Sequence, residues 1–406
     1  MTLLQKAKHD FMRTTNTLSV LECIMQAGPV TKKDIQDRTG LSWGAVSNII
    51  SVLLQKKVIS EAKSTESNIG RTPSKFDISR NNNLIIGIDI NAAGLTTVLT
   101  DFKCNVLKSM RYGVIEKDKE GIIKQIKDII RSTMEDARID RQKASGIGVA
   151  MQGAVDTERG VSVFSPYFPD WKEVHINEIL QEEFKLPVLL DHDPNCMALA
   201  ERWLGAAKGV KNLLLVRLSM GGIGMSIIIN EKIYRGADGS AGELGHIIVD
   251  PDGPRCTCGN YGCLEVYASG RSLLMKAKEA IKQGLVFFSP DIDEHSEVPL
   301  EAIAEAATGG NGHVRNLFDE MAFYLGIGIS NAINVFNPQL IIIGGELARY
   351  EKLFMAKLKE TVESKAWKWS NKNIIASRLG SNSPAIGAAA LFIQKVFAGE
   401  TSYILR

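Results

Sequence analysis

No apolar run in this sequence approaches the ~18 residues needed to span a bilayer, and Met1 to Asp10 is polar, without the apolar core of a secretory signal. Membrane insertion and export are therefore not expected, and a cytoplasmic location is. No low-complexity tract interrupts the chain. Cysteine is scarce, six in 406 residues, and three of the six crowd beside one histidine. That distribution argues against a disulfide framework and for reduced thiols, some of them metal ligands. Cys23, Cys104 and Cys196 lie apart and are expected to pack as small apolar side chains. The length exceeds one ordinary core and predicts two or three domains.

The crowded cysteines belong to Cys256-Thr-Cys258-Gly-Asn-Tyr-Gly-Cys263-Leu-Glu265, preceded by Glu243-Leu-Gly-His246. His246, Cys256, Cys258 and Cys263 make one imidazole and three thiolates, a closed tetrahedral set for Zn²⁺. Gly259 and Gly262 let the backbone fold tightly enough to gather the sulfurs. With four protein ligands no position is left for a catalytic water, so the expected zinc is structural. A metal on one ring nitrogen of His246 leaves the other for a partner, and Glu243 and Glu265 flank it. These three side chains suit several hydroxyls at once; the alternative is that the two glutamates only orient the ligands.

The pattern ExGH followed by CxCGxxGCxE resembles the signature of the ROK family of repressors and sugar kinases. In that family the histidine ligates zinc and contacts the sugar, and the two glutamates bind sugar hydroxyls. The resemblance thus implies sugar contacts for Glu243, His246 and Glu265.

The net charge of +2 hides an asymmetry, +5 over residues 1–80 and −3 over the rest. Within the basic segment Leu18, Leu21, Ile24 and Met25 recur at helical spacing, and Gly28-Pro29 ends that helix. Thr31 suits the cap of a second helix, Lys32 to Thr39; Gly40-Leu41 makes a turn and Ser42 caps a third. Val46, Ile50, Leu53 and Leu54 stripe the third helix. Two short helices joined through a glycine turn spell helix-turn-helix; the same elements fit a three-helix protein-binding module. The DNA reading turns Ser42, Trp43, Gly44, Ser47 and Asn48 to the major groove. Val58 to Ala62 and a strand ending at Ile78 make a wing, with Arg71 and Lys75 as phosphate or minor-groove contacts. The segment Gly70-Arg-Thr-Pro73 is similar to the join between winged helix-turn-helix and body in ROK repressors.

From Leu84 the pattern alternates strand and helix. Strands are expected over 84–90, 96–101, 146–150, 187–191, 213–218 and 225–229, and helices over 119–137 and 196–204. The resemblance implies an α/β two-lobed actin-like (ribonuclease H-like, ASKHA) sugar-kinase fold with a ligand cleft. It sets the domains at 1–80, at 84–195 completed by about 384–406, and at 196–383.

A kinase of this fold needs glycine-rich turns that cradle ATP phosphates, an acid and a general base. Where active members of the family read Asp-x-Gly-Gly-Thr, this chain reads Asp89-Ile-Asn91-Ala92-Ala93. Where they read Gly-Thr-Gly-Ile-Gly-Gly-Gly, it reads Met220-Gly-Gly-Ile-Gly-Met225-Ser226. Asp193 stands at the position of the base, preceded by His192, a pairing similar to that of non-enzymatic repressors of the family. Asp193 is then a vestigial base and a sugar contact with His192 beside it, although His192 also fits plain packing. Trp171 suits stacking on a sugar ring or packing in its Pro-rich loop. The expectation is a sugar- or sugar-phosphate-responsive repressor that binds duplex operator DNA as a homodimer or homotetramer, with no catalytic residues. The competing readings are an ATP-dependent sugar kinase with an added DNA-binding domain, and a sensor of a partner protein.

Overall fold

The structure, a computed structural model, describes residues 3–62, 73–116, 118–139, 141–286, 288 and 298–403. The chain divides into two compact units, Met1–Leu199 with Pro384–Arg406, and Ala200–Ser383.

The first unit begins with three helices and a small sheet: α1 (Leu3–Ala27), β1 (Val30–Thr31), α2 (Lys32–Thr39), α3 (Trp43–Gln55), β2 (Ile59–Ala62) and β3 (Lys75–Ile78). Local chemistry sets the boundaries. Thr31 Oγ1 accepts from Asp34 N at 3.1 Å and the Thr31 amide donates back to Asp34 Oδ2 at 2.8 Å, a reciprocal capping box. Gly40 closes α2 in the left-handed region, and Ser42 Oγ accepts from Ala45 N at 3.3 Å to open α3. Leu21, Ile24, Ile35, Val46, Ile50 and Leu53 form the buried core among the helices. The sheet runs β1-β3-β2, all antiparallel. Helix α1 reaches back to Leu3, through a segment expected to be no more than polar, and so is longer than its apolar stripe alone implies.

The remainder of this unit holds β4 (Leu84–Asn91), β5 (Gly94–Thr100), β6 (Val106–Tyr112), α4 (Lys119–Asp136) and β7 (Ala144–Met151). A small antiparallel sheet, β8 (Ala154–Asp156), β9 (Val161–Phe164) and β10 (Lys172–Val174), follows. Then come α5 (Ile176–Phe184), β11 (Val188–His192) and α6 (Asp193–Trp203), whose last residues pass into the second unit. The main sheet is ordered β11-β7-β4-β5-β6, with β4–β5 and β5–β6 antiparallel and β4–β7 and β7–β11 parallel. Every residue of β4 and β7 is buried, which is why they read as continuous apolar runs rather than alternating ones. Ile122, Ile126 and Ile130 of α4 share one core with Ile86, Ile88 and Val149. The opposite face receives the C-terminal helix (α12, Ser383–Phe397), so closely that a Cβ at Gly148 would lie 1.9 Å from the Ala388 carbonyl oxygen. Within the same unit Lys103 Nζ, from the turn between β5 and β6, lies 2.5 Å from Asp77 Oδ1 of β3 and 3.5 Å from the Gly28 carbonyl oxygen.

The second unit carries β12 (Leu213–Ser219), β13 (Gly222–Ile229), β14 (Lys232–Ile233), β15 (Leu340–Gly344) and β16 (Ile374–Ala376). Their order is β14-β13-β12-β15-β16, with β12–β13 and β13–β14 antiparallel and β12–β15 and β15–β16 parallel. This repeats the first unit's sheet strand for strand. Helices α7 (Glu265–Ala268), α8 (Gly270–Lys282), α9 (Leu300–Thr308), α10 (Gly312–Phe336) and α11 (Glu351–Lys365) pack its core around Phe318, Leu325, Ile329, Phe354 and Leu358. Among the described residues no helix is long and apolar enough to cross a membrane.

Candidate functional site

The strongest chemistry in the second unit is the loop that returns through Cys256, Cys258 and Cys263. Backbone pairing gathers it: Val249 N donates to Gly262 O at 2.9 Å, Leu264 N to Ile247 O at 2.9 Å, and Cys256 N to Asn260 O at 2.7 Å. Gly262 is indispensable to that geometry, with φ 65° and Asp250 O only 1.5 Å from where a Cβ would sit. One ligand atom from each of His246, Cys256, Cys258 and Cys263 falls within 4.8 Å of the others. The Cys258 and Cys263 sulfurs are 3.7 Å apart, and Cys256 Sγ is 3.8 Å from His246 Nδ1. A tetrahedral Zn²⁺ with its usual bond lengths needs edges of roughly 3.6–3.8 Å. The donor set therefore fits a divalent metal in chemistry, and the Cys258–Cys263 and Cys256–His246 edges fit it in spacing.

The imidazole presents Nδ1 to the thiols and Nε2 towards Glu243, whose Oε2 is 3.9 Å away. Glu265 begins α7; its Oε1 lies 3.0 Å from Cys256 Sγ and 3.7 Å from His246 Nδ1. Burial, with the Glu265 carboxylate next in importance, raises the Cys256 thiol to about 12, and burial raises that of Cys263. The Asn260 amide lowers that of Cys258. Glu243 and Glu265 thus flank the His246 ring, Glu243 by Nε2 and Glu265 by Nδ1.

In the first unit His192 ends β11 and Asp193 opens α6, a placement that favours negative charge at the helix N-terminus. His192 Nε2 lies 3.3 Å from Asp193 Oδ1, and Asp193 is almost wholly buried. Neighbouring Asp191 is engaged separately, accepting from His192 N and Asn195 Nδ2 at 2.8 Å each. Trp171 is not available for stacking on a ligand: it is 1 % exposed and donates from Nε1 to Ser162 Oγ at 2.9 Å. Cys23, Cys104 and Cys196 are buried as expected.

Each unit also has a two-residue hairpin turn beside the end of its central strand. In the first, Asn91 pairs with Gly94 across Ala92-Ala93; in the second, Ser219 pairs with Gly222 across Met220-Gly221. Ala92 N donates to Gln152 Oε1 at 3.1 Å, Ala93 N to Asn91 Oδ1 at 2.8 Å, and Asn91 Nδ2 to Asp89 Oδ2 at 2.7 Å. Met220 N donates to Glu346 Oε2 at 3.0 Å. The Met220 side chain is packed inward, away from the turn. Its sulfur lies over Gly270, 2.7 Å from where a Cβ there would sit, and it packs against the core. Gln152 and Glu346 are separated from their partners by 60 and 126 residues, so no local pattern could announce them.

On the winged domain Ser42, Trp43, Gly44 and Asn48 are exposed along one face of α3, with Ser47 half-buried among them. The Ser42 hydroxyl is already the helix cap. Ser51, also exposed on α3, was not anticipated; it bonds the Ser47 carbonyl at 2.9 Å. Lys75 is exposed on β3, while Arg71 lies outside the described residues.

Residues 85–395 match the family described as ROK family, and residues 13–60 match the one described as winged helix-turn-helix DNA-binding. The xylose repressor of Caldicellulosiruptor bescii is 30 % identical over 396 residues, 96 % of this chain and 98 % of that one. A crystal structure of a ROK family transcriptional regulator, a homolog of the E. coli MLC protein, superposes with a TM-score of 0.82 at 25 % identity, covering 97 % of this chain and 99 % of that one. A ROK family glucokinase from Streptomyces griseus in complex with glucose and AMPPNP gives 0.66 at 29 % identity, covering 76 % of this chain and 98 % of the kinase.

Proposed function

This chain belongs to the ROK family, and from that premise we propose that it is a sugar-responsive transcriptional repressor that binds operator DNA and does not phosphorylate its sugar. One observation carries the reading. The regulator covers 97 % of the chain whereas the glucokinase covers 76 %, and the winged head precedes the ROK match with a capped, exposed recognition helix.

In this reading α3 enters the major groove, Trp43, Ser47 and Asn48 meet base edges, and Arg71 and Lys75 meet phosphates. Sugar hydroxyls are bound by Glu243, His246 and Glu265 of the second unit. The four-ligand set His246, Cys256, Cys258 and Cys263 holds Zn²⁺, which when bound supplies a rigid cross-link rather than a reactive centre. With Nδ1 given to the metal, Nε2 of His246 and the carboxylates of Glu243 and Glu265 remain to orient hydroxyls. Asp193 keeps the position of a base without a phosphoryl donor to complete the reaction.

The repressor acts as a homodimer in the cytoplasm. Helix-turn-helix dimers read half-sites about 34–36 Å apart, so an effector preferring a differently spaced state weakens operator binding. The rival reading, a sugar kinase carrying a DNA-binding domain, is favoured by the retained Asp89 and by the glucokinase match. A thermal-shift screen of the zinc-loaded protein against hexoses, pentoses and aminosugars, with and without Mg-ATP, separates the two. Stabilisation by one sugar and none by ATP is expected. An ATP shift, or ATP-dependent loss of the sugar, restores the kinase.

A further inference from the structure

The two hairpin turns are closed in the same way by residues in equivalent places. In the first unit β7 runs parallel to β4, and the residue just past its end, Gln152, bonds the first amide of the β4–β5 turn. In the second unit β15 runs parallel to β12, and two residues past its end Glu346 bonds the first amide of the β12–β13 turn. Gly345 enables this at φ 91°, a close passage in which a Cβ would meet the Leu218 carbonyl oxygen at 2.2 Å. The equivalence makes the difference between the caps informative. Gln152 satisfies its amide without charge. Glu346 satisfies its amide with an anion.

We propose that the Glu346 carboxylate is a built-in anion on the second glycine turn, making the bond a phosphate oxygen of a nucleotide would make and repelling phosphate from that place. A carboxylate accepting from a backbone N–H forms a charge-assisted bond, the same type a phosphoryl oxygen forms there. An incoming phosphate meets an amide already satisfied and a like charge a few ångströms away. The Met220 side chain, turned over Gly270 into the core, leaves this position to Glu346. Exclusion of phosphate is thus assigned to one charged residue 126 positions from the turn, and not to the substituted glycines alone. The proposal rests on the non-catalytic reading above and names the residue that enforces it.

The test is calorimetric titration of the full-length zinc-loaded protein with Mg-AMPPNP, and separately with inorganic phosphate. Wild type, Glu346→Gln and Glu346→Ala are compared, with sugar-induced thermal shift as the check on folding. Wild type is expected not to saturate, which sets a lower limit on its Kd, and Glu346→Ala to bind nucleotide at least about tenfold more tightly than that limit. Glu346→Gln keeps the shape and the bond without the charge, so it falls between and decides the matter if the alanine variant is unstable. A gain for Mg-AMPPNP without one for inorganic phosphate assigns the place to nucleotide; a gain for both assigns it to phosphate generally. If neither variant gains affinity, the proposal is overturned while the non-catalytic reading stands. If wild type binds Mg-AMPPNP as tightly as the variants, the proposal is overturned, and sugar phosphorylation by wild type would overturn the non-catalytic reading with it.

Discussion

Lys103→Met removes the ammonium that ties the winged domain to the α/β body while keeping the apolar stem of the side chain. The ion pair with Asp77 is 2.5 Å long, and the two side chains are 20 % and 21 % exposed. Its turn is held ready: Asp101 Oδ1 accepts from Lys103 N at 2.8 Å and Asn105 N at 2.9 Å, and Asn105 Nδ2 reaches Asp101 Oδ2 at 2.9 Å. Little further ordering is therefore needed to form the pair. Exposed pairs contribute about 0.2–1 kcal/mol and breaking a buried one costs about 3–5, so a pair one-fifth exposed is placed at roughly 1–2 kcal/mol. That is about a 5–30-fold change in the opening of the head from the body. Tryptic cleavage after Arg80, exposed just past β3, reads that opening when it is fast relative to cleavage. Lys103→Met and Asp77→Asn should each speed cleavage by this factor, and the double variant by no more than either one. The difference should shrink in about 1 M salt. Cleavage at the wild-type rate, or additive effects in the double variant, would refute the reasoning.

Four further outcomes follow from the same structure. Asn48→Ala should weaken specific operator binding by about 5–150-fold, the worth of about 1–3 kcal/mol for a bidentate base contact, and leave non-specific binding at the same salt unchanged; gel-shift titration reads both. Cys263→Ser, or chelation of the metal, should remove zinc measured by elemental analysis and abolish the sugar-induced thermal shift; retention of the shift would remove zinc from the account. Thr31→Ala should cost the head about 1 kcal/mol. The Asp34 carboxyl is held below its ordinary 3.8, chiefly by the Thr31 amide, so its contribution is complete above that value and fades as pH falls through the lower folded one. Asp34→Ala should flatten the acid limb of head unfolding followed by amide exchange.

Legibility followed the range of the interactions. Helix α2 was readable to the residue because Thr31, Asp34 and Gly40 fix its ends within the sequence itself. The metal loop was readable because its donors lie close in sequence and its glycines mark the tight turns. Strand β6 was missed: it is largely exposed, and its sequence from Val106 to Tyr112 carries no regular apolar alternation to reveal it. Helix α6 starts at Asp193 and not Cys196, because Pro194 in a first turn lacks only an N–H that has no helical partner there. Trp171 stood in a loop that suited either packing or a ligand, and only the Ser162 hydroxyl and Phe168, its ring 5.3 Å away, decide for packing. The bonds of Gln152 and Glu346 to the turn amides were invisible for the opposite reason to α2, since each joins residues distant in sequence.

The central claim is that sugar and operator are coupled through this one chain. The direct measurement is the operator Kd of the zinc-loaded protein at fixed salt, titrated with the sugar that gives the thermal shift, in wild type and Glu265→Gln. Operator binding should weaken at least about tenfold with sugar in wild type. In Glu265→Gln the sugar-free Kd should be unchanged and the response lost. A Kd indifferent to sugar, or an equal response in both proteins, would contradict the account.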